Sequence, residues 1–254
     1  MRNVAMRVTL ATSILFASLL GAQTPNPTIV LVHGAFANAS GWSDVISRLQ
    51  QRGYNVVAVE NPLSGLAVDV ATTKRLVDAQ PGNVVLVGHS YGGAVITGAS
   101  AGDPKVKALV FVAAFAPEAD EPLKTVGAKY PAPPLNATLK PDAAGFLYID
   151  TAKFHDVFAA DLPIAQTRIM AVTQKPLAAA VFDQSTSGAG WKNIPTWFIV
   201  AKNDHAINPD AERFYAKRAN AKTTEVESSH VVFLSHPDAV VKVIVDAAVA
   251  VTPK

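Results

Sequence analysis

The chain has 254 residues, half of them hydrophobic, no cysteine, and a formal net charge of +2. That length suits one large domain or one domain with an insertion, and the apolar fraction can fill a sizeable core. The missing cysteines exclude disulfides, thiolate metal sites and lipid attachment through cysteine, and the near-balanced charge with no basic stripe excludes nucleic acid as a partner.

Met1 to Ala22 reads as a secretory signal: Arg2 and Arg7 form a positive n-region, Val8 to Leu20 an apolar stretch too short for a comfortable membrane span, and Leu20-Gly21-Ala22 a small-residue cleavage site. The expectation is cleavage after Ala22, export to the periplasm or medium, and no membrane association of the mature chain. Without Arg2 and Arg7 the chain holds twenty basic and twenty acidic residues.

Beyond the signal, strand-like and helix-like patterns alternate, which predicts a parallel sheet with helices on both faces. Thr28 to Val32 is a continuous apolar run, as expected of a strand buried on both faces. Trp42, Val45, Ile46 and Leu49 follow at helical spacing, with Ser40 read as N-cap and Gly53 as the stop. Asn55 to Val59 is the next strand. A helix capped by Ser64 carries Leu66, Val70 and Val77, and Pro81-Gly82 ends it. Asn83 to Val87 is a third strand, Tyr91 to about Ala101 a helix, and Val106 to Ala113 a fourth strand.

The rhythm breaks after Phe115. Residues 117–191 are rich in proline and alanine, with helix-like stretches near Lys153–Ala160 and Leu162–Val172, and read as an inserted helical cap. The core then resumes with a strand at Thr196–Val200, a helix at Pro209–Ala219, a short strand at Thr223–Val226 and a closing helix at Pro237–Val251. The predicted organisation is a signal at 1–22, an α/β core at 23–116 and 192–254, and the cap at 117–191.

Chemistry concentrates at Gly88-His89-Ser90-Tyr91-Gly92, a G-x-S-x-G pentapeptide between a strand and a helix. Ser90 then sits on a sharp strand-to-helix turn with its hydroxyl exposed and a helix N-terminus behind it. A serine hydroxyl is a weak nucleophile at neutral pH. It needs a base in reach, and the base needs an acid to orient it, in the chain order Ser, Asp or Glu, His. Asp204, just after the Thr196 strand, fits the acid, with Glu118 and Asp120 as alternatives. His230, past the last short strand, fits the base, with His236 as rival. The oxyanion needs two preset donors. The backbone N–H of Tyr91 and that of Ala35, in the loop His33-Gly34-Ala35-Phe36, are assigned to it, with Phe36 as the alternative to Ala35. Phe36, Phe115 and Phe233 are candidate pocket walls, while most aromatic residues are expected in ordinary core. No H-E-x-x-H, P-loop or dinucleotide fingerprint occurs, so neither metal nor cofactor is expected.

These motifs, with Leu31-Val32-His33-Gly34-Ala35, Lys202-Asn203-Asp204-His205 and Ser229-His230, resemble the α/β-hydrolase superfamily from about Thr28 to Ala250. Within it the chain is most similar to the branch of plant methyl-ester esterases, hydroxynitrile lyases and bacterial esterase relatives. The resemblance implies the α/β-hydrolase fold with Ser90, Asp204 and His230 catalytic and Ala35 and Tyr91 as oxyanion donors. The lyases carry a threonine at the position of Gly34 and a lysine at that of Val231, and the absence of both points to hydrolysis. The expected activity is hydrolysis of small to medium uncharged carboxylic esters through an acyl-enzyme on Ser90. Lactone hydrolysis (including acyl-homoserine lactones), cofactor-free haloperoxidase or perhydrolase chemistry, and a small-molecule receptor role are the alternatives.

Overall fold

The computed structural model describes residues 26–252; the expected signal at 1–22 lies outside them. Nine strands and nine α-helices follow one another among these residues. Strand β1 (Thr28–Val32) leads through helix α1 (Ser43–Gln50) to β2 (Val56–Val59), then through α2 (Leu66–Asp78) to β3 (Val84–His89). Helix α3 (Tyr91–Ala99) connects β3 to β4 (Val106–Val112). The chain then leaves the sheet for α4 (Lys124–Gly127), β5 (Leu139–Pro141), β6 (Phe146–Ile149), α5 (Phe154–Phe158), α6 (Ile164–Thr173) and β7 (Leu177–Ala178). It returns with β8 (Thr196–Ala201), α7 (Pro209–Arg218), β9 (Lys222–Val226), α8 (Val232–Ser235) and α9 (Pro237–Val251).

Six strands form one sheet in the order β2-β1-β3-β4-β8-β9, and every pairing is parallel. Parallel strands need crossovers, and the crossover helices cover both faces. The strands β1, β3 and β8 are buried along their whole length, which is why they read as unbroken apolar runs. Helices α3 and α9 each pack on β3 and β4 from opposite sides, with α2 beside α3 and α1 beside α9. The edge strand β9 is the exception: Lys222 to Glu225 are exposed, and charged residues at its ends discourage pairing with another chain.

Strand order reverses at β1. Its crossover to β2 runs one way, while β3 lies on its other side. In an open α/β sheet the loops at the carboxyl ends diverge at that point and leave a crevice. Val32 pairs with Gly88, so the chain after β1 leaves directly beside the chain after β3. At the other end of the sheet Ala201 pairs with Val226, so the loops after β8 and β9 also leave together.

Two expected caps are corrected. Asn38, not Ser40, caps the first helical turn, a short 3-10 turn at Ala39–Trp42, by accepting from the Ser40 N–H. The N-cap of α2 is Gly65 rather than Ser64, and the Leu66 N–H is satisfied by Gln184 Oε1 at 2.7 Å. The segment between β4 and β8 also departs from a purely helical cap: β5, β6 and β7 form a small antiparallel sheet, with Leu139 opposite Ile149 and Phe146 opposite Ala178.

Candidate active site

Ser90 occupies the turn between β3 and α3 with φ 53° and ψ −123°, a left-handed conformation that side chains rarely adopt. Such backbone costs on the order of 1–3 kcal/mol and persists only where its surroundings dictate it. Here the Ser90 N–H donates to Val112 O, and the Ser90 carbonyl accepts from Gly93 and Phe115. Gly88 and Gly92 make the turn possible: a Cβ on the first would lie 2.5 Å from Gly92 O, and on the second 2.6 Å from Val32 O.

The β8 and β9 ends supply a second group. The Asn203 N–H donates to Ser228 O and draws the two loops together. Asp204 and His230 are almost wholly buried, and Asp204 Oδ2 lies 2.5 Å from His230 Nδ1. Asp204 Oδ1 accepts from the backbone N–H groups of Ala206 and Ile207, at 2.6 and 2.9 Å. The carboxylate is thus fixed on three sides, and it orients the imidazole so that Nδ1 donates and Nε2 is left to accept. Behind it, His89 Nε2 donates to the His230 carbonyl at 3.1 Å, and the two rings lie tilted against each other with centroids 4.6 Å apart. Burial, with the nearby His230 adding to it, holds the His89 pKa well below its ordinary value, so this ring stays neutral.

Ser90 and His230 line the same cavity, of about 540 Å³. Among the described residues no hydrogen bond joins the Ser90 hydroxyl to the imidazole. Sites without substrate commonly hold this contact longer than the reacting geometry requires. The expected oxyanion donors stand at the same place. Ala35, Phe36 and Tyr91 line the cavity, and among the described residues none of their backbone N–H groups has an acceptor. The loop is braced by His33, whose Nε2 accepts from the Asn61 N–H and whose Nδ1 therefore donates to Gly34 O at 2.8 Å. A Cβ on Gly34 would approach Ser90 Cβ to 2.6 Å, so this loop and the serine turn touch directly.

Phe36 and Phe115 line the cavity as expected. Phe233 does not: its ring lies against Trp42 and His89, with centroids 4.5 and 4.6 Å away, and is core behind the imidazole. The remaining walls come largely from between β4 and β8: Leu123, Tyr130, Leu135, Leu147, Phe158, Leu177 and Phe182. The rivals fall elsewhere. His236 bonds Ser235 on the surface, Glu118 pairs with Lys192, and neither Glu118, Asp120 nor His236 borders the cavity.

Two contacts of the site lie outside the motifs of the sequence. Asp161, from the segment between β4 and β8, accepts from the Ser229 N–H at 2.9 Å and from the Ser229 hydroxyl, and the Ser228 hydroxyl lies 3.0 Å from it. Glu212, on α7, is fully buried beside Asp204. Its signal was the face it shares with Ala211, Tyr215 and Ala216, all buried and at helical spacing. Among the described residues no cluster of three or more His, Asp or Glu side chains could hold a metal, and no helix is long and apolar enough to cross a membrane.

Comparison with known proteins gives a consistent family. The sequence pattern of the Alpha/beta hydrolase family matches residues 29–243. An alpha/beta hydrolase of Aspergillus novofumigatus is 27% identical over 245 residues, covering 87% of this chain and 96% of the relative. Methylesterase 8 of Arabidopsis thaliana is 28% identical over 210 residues, covering 73% and 75%. In fold the chain is similar to a pyrethroid hydrolase from Sphingobium faniae JZ-2, with a TM-score of 0.73 at 22% identity over 88% of this chain and 98% of the other.

Proposed function

This chain belongs to the alpha/beta hydrolase family, and on that footing we propose that it is a serine esterase acting on small to medium uncharged carboxylic esters. Ser90 Oγ attacks the ester carbonyl while His230 Nε2 takes its proton, and Asp204 holds the imidazole and stabilises its charged form. The N–H groups of Ala35 and Tyr91 bind the oxyanion, each such donor being worth about 3–4 kcal/mol in acyl transfer. His230 then protonates the leaving alkoxide, and a water activated by the same nitrogen releases the acid from Ser90.

The observation that carries this reading is a buried Asp204–His230 pair opening onto the same apolar cavity as Ser90. Its size suits a small organic molecule. The lysine on its wall, Lys124, is already paired with Asp183, which favours uncharged substrates over acids. Esterase names among the relatives, including the plant methylesterases and a carbendazim-hydrolysing esterase of a Nocardioides strain, support the same reaction class. The packing of Gly34 on Ser90 leaves no space for the lyase threonine, and Val231, where the lyases resembling this chain carry lysine, is buried.

The test is a panel of p-nitrophenyl esters, aryl esters and lactones, with a fluorophosphonate as active-site label. The expected result is turnover of uncharged esters and labelling of one serine, both lost in Ser90→Ala. Undiminished turnover or labelling in Ser90→Ala overturns the proposal, and tight ligand binding without turnover turns it toward a receptor.

A further inference from the structure

Glu212 is a carboxylic acid with no solvent exposure, in the first turn of α7. Its Oε2 accepts from the Ala201 N–H, at the end of β8, at 3.0 Å. Its Oε1 is buried and has no N–H or hydroxyl partner among the described residues. The group that acts on it, by charge and by hydrogen bonding, is the carboxyl of Asp204, whose own backbone N–H donates to the Ala201 carbonyl at 3.2 Å. Two carboxylates in contact, away from water, cannot both be ionised, so one proton lies between them.

The surroundings decide which acid keeps that proton. Asp204 receives three N–H donors, from Ala206, Ile207 and His230, whereas Glu212 receives one. Donors stabilise the ionised form, so Asp204 is the carboxylate and Glu212 the acid. Burial is the main force raising the Glu212 pKa well above the usual carboxylate range, followed by the charge and hydrogen bond of Asp204. The charged groups that reach it are Asp204, from the loop after β8, and Arg213 on its own helix, the latter already held by Asp210 and Glu225.

We propose that Glu212 is a positioning residue of this site: its protonated carboxyl donates to Asp204 and, bonded at the same time to the end of β8, fixes that carboxylate against His230 Nδ1. The proposal rests on the reading of Asp204 as the acid that orients His230. It gives Asp204 a fourth donor, which spreads the carboxylate charge while leaving it ionised. With that donor removed, the charge falls more fully on the imidazole, and His230 holds its proton to higher pH.

Three proteins test this: the wild type, Glu212→Gln and Glu212→Leu. Glutamine reproduces the protonated acid, with an amide N–H for Asp204 and an oxygen for the Ala201 N–H. Leucine keeps the bulk and removes both bonds. Glu212→Gln is expected within about threefold of wild-type kcat/KM, with the acid limb of its pH profile unmoved. Glu212→Leu is expected to lose tenfold or more in kcat, its acid limb displaced to higher pH. Infrared difference spectra at neutral pH, recorded without substrate, should show a protonated-carboxyl C=O band in the wild type that Glu212→Gln lacks. The proposal is overturned if that band is missing, if Glu212→Gln is as damaged as Glu212→Leu, or if Glu212→Leu keeps the wild-type acid limb. Should Glu212→Leu not fold, the infrared band and the glutamine variant still decide. A wild type that turns over no ester and takes no label on Ser90 defeats the esterase reading instead; a wild type that does both while Glu212→Gln fails defeats only this inference.

Discussion

Asp161 accepts both the backbone N–H and the hydroxyl of Ser229, the residue immediately before His230. His230 is therefore held from two directions, its ring by Asp204 after β8 and the turn that carries it by Asp161 from the segment between β4 and β8. Replacing Asp161 by alanine frees the Ser228–Ser229 turn while leaving the reacting groups in place. Since the carboxylate is partly solvated, the stability lost should be only about 1 kcal/mol. kcat/KM is expected to fall by about tenfold, the equivalent of 1.4 kcal/mol at the barrier. Burial pulls this carboxyl upward, but the Ser229, Ser235 and Ser228 bonds outweigh it and hold its pKa below the ordinary 3.8. The tether is thus fully present above that value and is lost as pH falls through the lower folded value. Thermal melts across the acid range check this: the Asp161→Asn protein should lose less stability than the wild type on acidification.

Asp204→Asn should lower kcat by about 10³–10⁴-fold, because an amide N–H facing Nδ1 favours the wrong tautomer of His230. Glu118→Gln should leave turnover near wild type, since Glu118 is engaged by Lys192 and lies off the cavity. Steady-state kinetics on one p-nitrophenyl ester compares the two, and the reverse order of damage would move the acid role to Glu118.

Gly34→Ala places a methyl 2.6 Å from Ser90 Cβ and 3.0 Å from His89 Nδ1. Neither neighbour is a flexible side-chain end, so the loop or the serine turn must shift. Overpacking of this kind costs about 1–3 kcal/mol. A displacement near the reacting atoms can also cost about 10²-fold in rate. Denaturant melts together with kcat/KM measure both losses, and an alanine variant with unchanged kcat would show that the contact is not part of the oxyanion loop's alignment.

His33 and His89 are both buried, and burial lowers both pKa values from their ordinary 6.5. In the unfolded chain these rings take up protons below that pH, while in the fold they resist. Stability is therefore highest above 6.5 and declines as pH falls below it. The Tm of the wild type should drop on acidification from about 6.5, and His89→Gln should flatten part of that slope. A Tm that holds level from neutrality down to the carboxylate range would contradict it.

The parallel sheet was legible because buried strands and amphipathic helices leave different periods in the sequence: Thr28–Val32 and Pro237–Val251 occur within the expected bounds. The residues that meet at the site were legible for another reason, since Ser90, Asp204 and His230 each follow a strand at its carboxyl end. The small sheet of β5, β6 and β7 left no readable pattern. Its strands are two to four residues long, and its Phe146–Ala178 pairing depends on contacts distant in sequence. Phe233 could not be separated from a pocket wall because α8 is a single turn, too short for a periodic face. The partners of Asp161 were hidden for the same reason as the small sheet, since Ser229 lies 68 residues away, and Glu212 was hidden because a charged residue in a helical first turn reads as solvated until the fold closes over it.

The backbone of Ser90 has one more implication. Glycine is the residue that takes φ near +53° without strain, so the substitution that abolishes the hydroxyl also relaxes the turn, and a Ser90→Gly protein should melt at a higher temperature than the wild type. A laboratory evolution scheme that rewards heat tolerance alone would drift toward that variant, which the proposed mechanism leaves without a nucleophile. Breeding a hardier form of this protein requires a turnover screen at every round.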